Sequence, residues 1–421
     1  MAPCSDTELE IRAVEAFFHD YCLDPENRQF SRGFLAGLKT LISQAKPDST
    51  VLQATKVVGF ANLGTRLGLP HLVEKARVMY SEMLRSFQLM IAHASKLNTA
   101  ELLMTAVLLG FCRQIITATE DHPSNHSSHS SGIYAILATE CSPLGLLRMS
   151  CEFQISNPLH ISIPQRVPGI LHTAALSPSV RSLDALLIDS FPLLRTAESM
   201  FSSPSTLVEG LHKLLHDTRA MNEGFAKWET SQPPEWRPRT ICHRNSMPKR
   251  NLSWVSGRVD EYLDLYVAAV WNAYRKNRLF ILNNIVRCLK RLEHGRSYHE
   301  EMLQVDELIS DQLAAIPFHL TANVRSFAQQ LNDNQDPIIV RGRSIGGLLI
   351  MHPLYVTSHL SVVNPRIQAQ VKDCLAWIGT NMGIGEAKML SIAQQTFPNK
   401  SVANGYTLIW AGMLFTDSDE D

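Results

Sequence analysis

Residues 257–295 read GRVDEYLDLYVAAVWNAYRKNRLFILNNIVRCLKRLEHG, and this stretch decides the fold class. Val259, Leu263, Tyr266, Val270 and Tyr274, then Ile281, Ile285, Leu289 and Leu292, recur at steps of three, four and seven. A helix gathers such positions on one face, whereas a strand would scatter them over both. Asp260 and Glu261 near the start, and Arg287, Lys290 and Arg291 near the end, match the sign of a helix dipole. Gly295 supplies a stop. The expectation is one long helix with Trp271 and Tyr274 on its core face.

The same period extends outward in both directions. Leu9, Val14, Phe17, Phe18 and Tyr21 form a first stripe that Pro25 ends, and segments 30–45 and 51–67 read as a second and third helix. Pro47-Asp48-Ser49 between them offers a breaker and an N-cap. Pro70 opens a helix with Leu72, Val73, Ala76, Met79, Tyr80, Met83 and Phe87 on one face, and Asn98-Thr99 opens an apolar segment, Leu102 to Ile116, that reads as buried all round. Downstream, Met302, Val305, Ile309, Leu313 and Ile316 make a stripe ended by Pro317, and two more helices follow over 368–382 and 386–395. Only Pro337 to Val340 invites a strand, and no βα alternation signals a parallel sheet. No period of 34 to 47 residues recurs, which argues against a helical solenoid. The fold class is therefore all-α, built from antiparallel helices joined by irregular loops at 121–131, 156–178 and 230–256, with a short acidic tail over 417–421.

Composition removes whole classes of function. The chain has 421 residues with 39 Lys+Arg against 40 Asp+Glu, a formal charge of −1, so it carries no basic excess of the kind an autonomous nucleic-acid binder uses. A membrane helix needs about 20 apolar residues, and the densest stretch, Leu102 to Cys112, is about half that. The opening MAPCSDTELEIR lacks an apolar secretory core, so a reducing compartment and free thiols are expected. The eight cysteines contain no C-x2-C pair, which argues against a structural zinc site. No glycine-rich nucleotide cradle occurs either.

Three features imitate chemistry. Gly342-Arg343-Ser344-Ile345-Gly346 is a literal G-x-S-x-G, but no acid followed by a histidine comes after Ser344 in the order a hydrolase needs; the reading is a turn into a helix. His122, His126 and His129 have metal-ligand spacing inside a Ser-rich loop with no rigid support, so no metal is assigned. Arg237 to Arg250 is basic and Pro-rich, and reads as a solvated loop with a phosphate contact or nuclear-import segment as the alternative. Catalytic residues, metal ligands, DNA-contacting residues and cofactors are all read as none.

The C-terminal TLIWAGMLFTDSDED sets Trp410, Met413, Leu414 and Phe415 before four acids. Such segments dock aromatics in a partner's groove while the acids keep them solvated, so Trp410, Leu414 and Phe415 are the candidate partner contact. The alternative is a last apolar helix on the core.

Within the long helix, Trp271-Asn272, Tyr274-Arg275 and Leu279 resemble the regulatory domain of fungal zinc-cluster transcription factors, together with Ala315-Ile316-Pro317-Phe318-His319-Leu320. Gly346-Gly347, Ile350 and Pro353-Leu354-Tyr355-Val356, then Trp377-Ile378 and Met382-Gly383-Ile384, resemble its later segments in the same order. Gly59, Asn62-Leu63, Arg77, Tyr80 and Leu84 resemble its early hairpin. The resemblance spans about Phe17 to Ala393. It implies one regulatory domain over 1–416 in a nuclear protein, with the cytoplasm as the alternative, governing a pathway or gene cluster such as one for secondary metabolism. The family's six-cysteine zinc cluster has no counterpart in this sequence, so its DNA-contacting residues carry over to nothing here. The expected partner is then a protein, foremost a DNA-binding transcription factor, or a second copy in a homodimer, with no membrane contact. The alternative functions are a helical module for a small hydrophobic ligand and a serine hydrolase at Ser344.

Overall fold

A computed structural model of the protein describes residues 6–25, 27, 30–92, 99–116, 180–203, 208–244, 253–292, 298–333, 335–394, 409, 412 and 413. Among these the fold is all-α. The helices are α1 (Asp6–Tyr21), α2 (Leu38–Gln44), α3 (Thr50–Leu67), α4 (Pro70–Ala92), α5 (Thr99–Ile116), α6 (Leu183–Ser202), α7 (Val208–Ser231), α8 (Leu265–Leu292), α9 (His299–Leu320), α10 (Val324–Asn332), α11 (Ser344–Thr357), α12 (Pro365–Asn381) and α13 (Gly385–Ile392). One two-stranded antiparallel sheet, β1 (Arg239–His243) with β2 (Arg258–Glu261), completes the inventory.

Local chemistry sets the helix ends. Ser49 Oγ accepts from Leu52 N at 3.3 Å to cap α3, and Gly68, at φ 63, closes it with its N–H on Gly64 O. Asn323 and Asn364 cap α10 and α12 in the same manner as Ser49, and Pro365 fills the first position of α12. α3 packs against α1, α4 and α5, while α8 packs against α6, α7, α9 and α11. α11 then bridges the two groups, touching α1 on one side and α8, α9 and α12 on the other.

Several sequence expectations are corrected. The long helix begins at Leu265 rather than near Gly257, because Arg258–Glu261 is a strand. Asp260 and Glu261 therefore do not complement a helix dipole: Asp260 takes Arg258 and Thr240, and Glu261 takes Arg239 and Arg325. α9 runs through Pro317 to Leu320, since a proline removes one donor but leaves its own carbonyl free, and Thr321 N closes on Pro317 O at 3.0 Å. The segment 30–45 is helical only from Leu38. Pro337 to Val340 forms no strand; only Arg341 makes an isolated antiparallel bridge, with Thr321. The stretch 230–256, expected as an irregular connection, holds a 3-10 turn at Pro234–Trp236 and all of β1, and Trp236 and Trp254 are both buried. Of its basic residues, Arg237 donates to Gln232 O, Arg239 pairs with Glu261 and Arg244 donates to Leu331 O, while Lys249 and Arg250 lie outside the described residues. The loops at 121–131 and 156–178, Gly295 and the tail over 417–421 lie outside the described residues.

Candidate functional site

The centre of the molecule is α8, and it is not the two-faced helix that its apolar spacing implies. Twenty-two of its 28 residues are buried, among them Asn272, Arg275, Lys276, Asn277, Arg278, Asn283 and Asn284. Buried polar groups of this kind persist only when hydrogen-bonded. Asn272 Nδ2 donates to His319 Nε2 at 3.0 Å, and His319 Nδ1 lies 3.2 Å from Gly346 O. A carbonyl can only accept, so the imidazole carries its proton on Nδ1 and is neutral. Burial drives the His319 pKa down to about 3, the nearby Arg275 charge adds to that fall, and the bond to Gly346 O opposes it.

Arg275, 1% exposed, extends the network. It donates to Tyr262 Oη at 2.9 Å and Asn272 Oδ1 at 3.2 Å, and lies 3.9 Å from Asp311. Its guanidinium also sits over the Trp271 and Tyr262 rings, at 5.6 and 5.7 Å. Asp311 in turn pairs with Arg258, whose other partner is Asp260 at 2.8 Å. Trp271 closes the lane from the other side: its Nε1 donates to Trp236 O at 2.7 Å and its ring meets Trp228 edge-on at 5.3 Å. The resemblance motifs on α8, α9 and α11 thus meet in one buried lane.

Gly346 explains the false nucleophile motif. A Cβ there would stand 1.8 Å from His319 O, so the glycine is the point where α11 crosses the end of α9. Ser344, at the first turn of α11, is buried and gives its proton to Met382 O at 2.9 Å rather than to a histidine. Arg343 before it caps α1, donating to Phe18 O, His19 O and Cys22 O.

A second buried polar group lies where α5, α11 and α13 meet. His352 Nε2 and Glu386 Oε1 are 3.9 Å apart with both side chains buried. Burial pushes the Glu386 carboxyl up to about 8, and a hydrogen bond with Gln114 pulls the other way. On the surface, a cleft of about 650 Å³ opens at the α3–α4 corner beside Thr65, His71, Val73, Glu74 and Arg77.

These arrangements tie helices together; they present no open nucleophile with a base on it. The chain is 35% identical over 414 residues to the transcription factor dbaG of Emericella nidulans, a match covering 97% of this chain and 97% of that protein. It belongs to the dbaG family. No protein-family model matches the chain, and no solved structure matches it.

For this member of the dbaG family, the residues singled out in the sequence are unevenly placed. Trp271 and Tyr274 are core, and Ser344 is buried at a helix start. His122, His126 and His129 lie outside the described residues, as do Trp410, Leu414 and Phe415. Ile409 and Met413, which flank Trp410, are buried. Cys22, Cys112, Cys242, Cys288 and Cys374 are free, buried thiols, and burial raises the thiol pKa of each. Among the described residues no group of three His, Cys, Asp or Glu could hold a metal, and no helix is long and apolar enough to cross a membrane. Sequence reasoning passes over α6, α7 and α10 and the His352–Glu386 pair. For α7 the signal is present, since Leu211, Leu214, Leu215, Thr218, Met221, Phe225 and Trp228 keep helical spacing. For Glu386 none is, because nothing local tells a buried carboxyl from an exposed one.

Proposed function

We propose that the chain is a transcriptional regulator, not an enzyme, acting in the nucleus on one pathway or gene cluster such as a secondary-metabolite cluster. The full-length identity to dbaG is the observation that carries this reading. The balanced charge and the lack of any C-x2-C pair favour regulation through protein partners over a DNA-binding module within this chain. The partner of choice is a DNA-binding transcription factor, with a second copy of the chain as the alternative. Trp410, Leu414 and Phe415 are the partner-contact residues in this reading, with the following acids keeping the segment solvated.

The test is binding by the purified chain to promoter fragments of the genes it controls. Binding should be weak, insensitive to sequence and lost at physiological salt, and a sharp footprint without a partner would contradict the partner-dependent reading. Trp410→Ala and Phe415→Ala should lower reporter output at normal protein abundance. If Trp410→Ala lowers thermal stability as much as Trp271→Ala, the tail is core and not a contact.

A further inference from the structure

Helix α13 is tied to the α11 segment at both ends, and the two ties answer to different chemistry. At its start, Glu386 is buried against His352 of α11, with Oε1 and Nε2 3.9 Å apart, and Gln114 of α5 bonds the same carboxyl group. Two helical turns further along both segments, His359 Nε2 lies 3.1 Å from the carbonyl of Ala393, just past the end of α13. A carbonyl can only accept, so that nitrogen carries a proton whether the ring is neutral or charged. The second tie therefore survives a change of charge at the ring.

The tie at Glu386 does not. Its side chain is wholly buried, and burial, the largest influence on it, keeps the carboxyl protonated at neutral pH. An imidazole ordinarily gives up its proton at about pH 6.5, so when Glu386 ionises in alkaline medium His352 supplies no countercharge. Of the charged groups on the surrounding elements, Arg113 of α5 acts on Tyr80 and Cys112, and Asp373 of α12 takes Ser253. Lys388 of α13 itself packs on Gly379 of α12. A buried carboxylate left without a partner charge is driven toward water.

We propose that α13 is a proton-operated flap on α5 and α11. It is seated while Glu386 carries its proton and swings out from its first turn when the carboxylate forms, with the bond between His359 and Ala393 as the pin. Release bares Ala387, Met389 and Leu390, which are buried in the seated helix, so the molecule gains an apolar face in alkaline medium.

Hydrogen exchange of the full chain, corrected for the intrinsic rise of the rate with pH, reads the flap, because an eight-residue helix does not persist without its seat. With a folded pKa of about 8 against the ordinary 4.5, docking weakens by up to about tenfold per pH unit and levels off above pH 8. Protection of residues 387–392 should fall more than about tenfold from pH 6 to pH 8 and then hold level, while residues 271–282 keep theirs. Glu386→Gln keeps the shape without the charge and should abolish the fall. Gln114→Leu removes the bond that favours the carboxylate, so its fall should continue above pH 8. Flat protection across the range, an equal fall in α8, or a fall in Glu386→Gln matching the wild type overturns the flap. If Glu386→Gln fails to accumulate, Gln114→Leu decides: a fall that continues above pH 8 supports the flap, and one that ends where the wild type's does, or a loss equal at every pH, overturns it.

Discussion

Two buried histidine sites in one molecule differ in how their protons are held. In the lane between α8, α9 and α11, His319 touches an amide donor at 3.0 Å and a carbonyl at 3.2 Å, which fix a neutral tautomer. At the junction of α5, α11 and α13, His352 and Glu386 stand 3.9 Å apart, beyond hydrogen-bond reach. In the first site both ring nitrogens of His319 have a partner, and the ring stays neutral far into acid. In the second, burial outweighs the Gln114 bond and holds a proton on Glu386 at neutral pH. At both sites burial is the largest influence, disfavouring the charged form of His319 and of Glu386, and hydrogen bonds to neighbours oppose it.

The largest test of this contrast is to remove the wall of the central lane. Trp271→Ala should cost about 3–5 kcal/mol, as truncation of a buried Trp does, a large part of the roughly 5–15 kcal/mol that holds a domain together. Chemical denaturation of the two proteins measures it, and an unchanged midpoint would mean the lane is not the centre of stability.

Gly346→Ala comes next. Its methyl would meet the His319 carbonyl at 1.8 Å, backbone that cannot rotate aside, so a loss of at least about 1–3 kcal/mol is expected. Gly68→Ala serves as the reference, since nothing lies within 4 Å of that position and only its φ of 63 resists a side chain. Equal losses in the two variants would refute the close helix crossing.

The two sites should respond to pH in opposite directions. His319 has a folded pKa below its ordinary 6.5, so its contribution is complete above 6.5 and fades as pH falls toward about 3. Glu386 has a folded pKa above its ordinary 4.5, so its contribution is complete below 4.5 and is lost as pH rises through about 8. Glu386→Gln should therefore flatten the alkaline side of the stability curve and leave the acid side alone. Thermal melts across that range measure it, and a variant curve parallel to the wild type would remove Glu386 from the account.

The smallest effect is expected at Ser344. Ser344→Ala removes one buried hydrogen bond, to Met382 O, and should cost about 1 kcal/mol with no change in labelling by a serine-hydrolase probe. Loss of labelling in the variant would restore the hydrolase reading.

How much of this is legible in the sequence follows from the range of the forces involved. Helix α8 is legible because Val270, Tyr274, Ile281 and Ile285 keep the helical period, and Ser49 because a cap is a contact three residues long. The sheet is not, because a register shift between Thr240 and Cys242 breaks the alternation that would reveal β1, and Trp236 looks like loop punctuation until it meets Trp271. Of the central lane, its members on α8, α9 and α11 are visible by resemblance, while Tyr262, Asp311 and Arg258 join through contacts separated by up to 53 residues. The resemblance also points to a fungal transcription factor, and the 35% identity with dbaG over nearly the whole chain agrees with that.

Transcript profiling after deletion of the gene encoding this chain tests the regulatory role most directly. The expected result is a coordinated change in one group of neighbouring genes, reversed by the wild-type chain and not by Trp271→Ala. A deletion strain whose transcripts match the parent under conditions where the protein is made would contradict it.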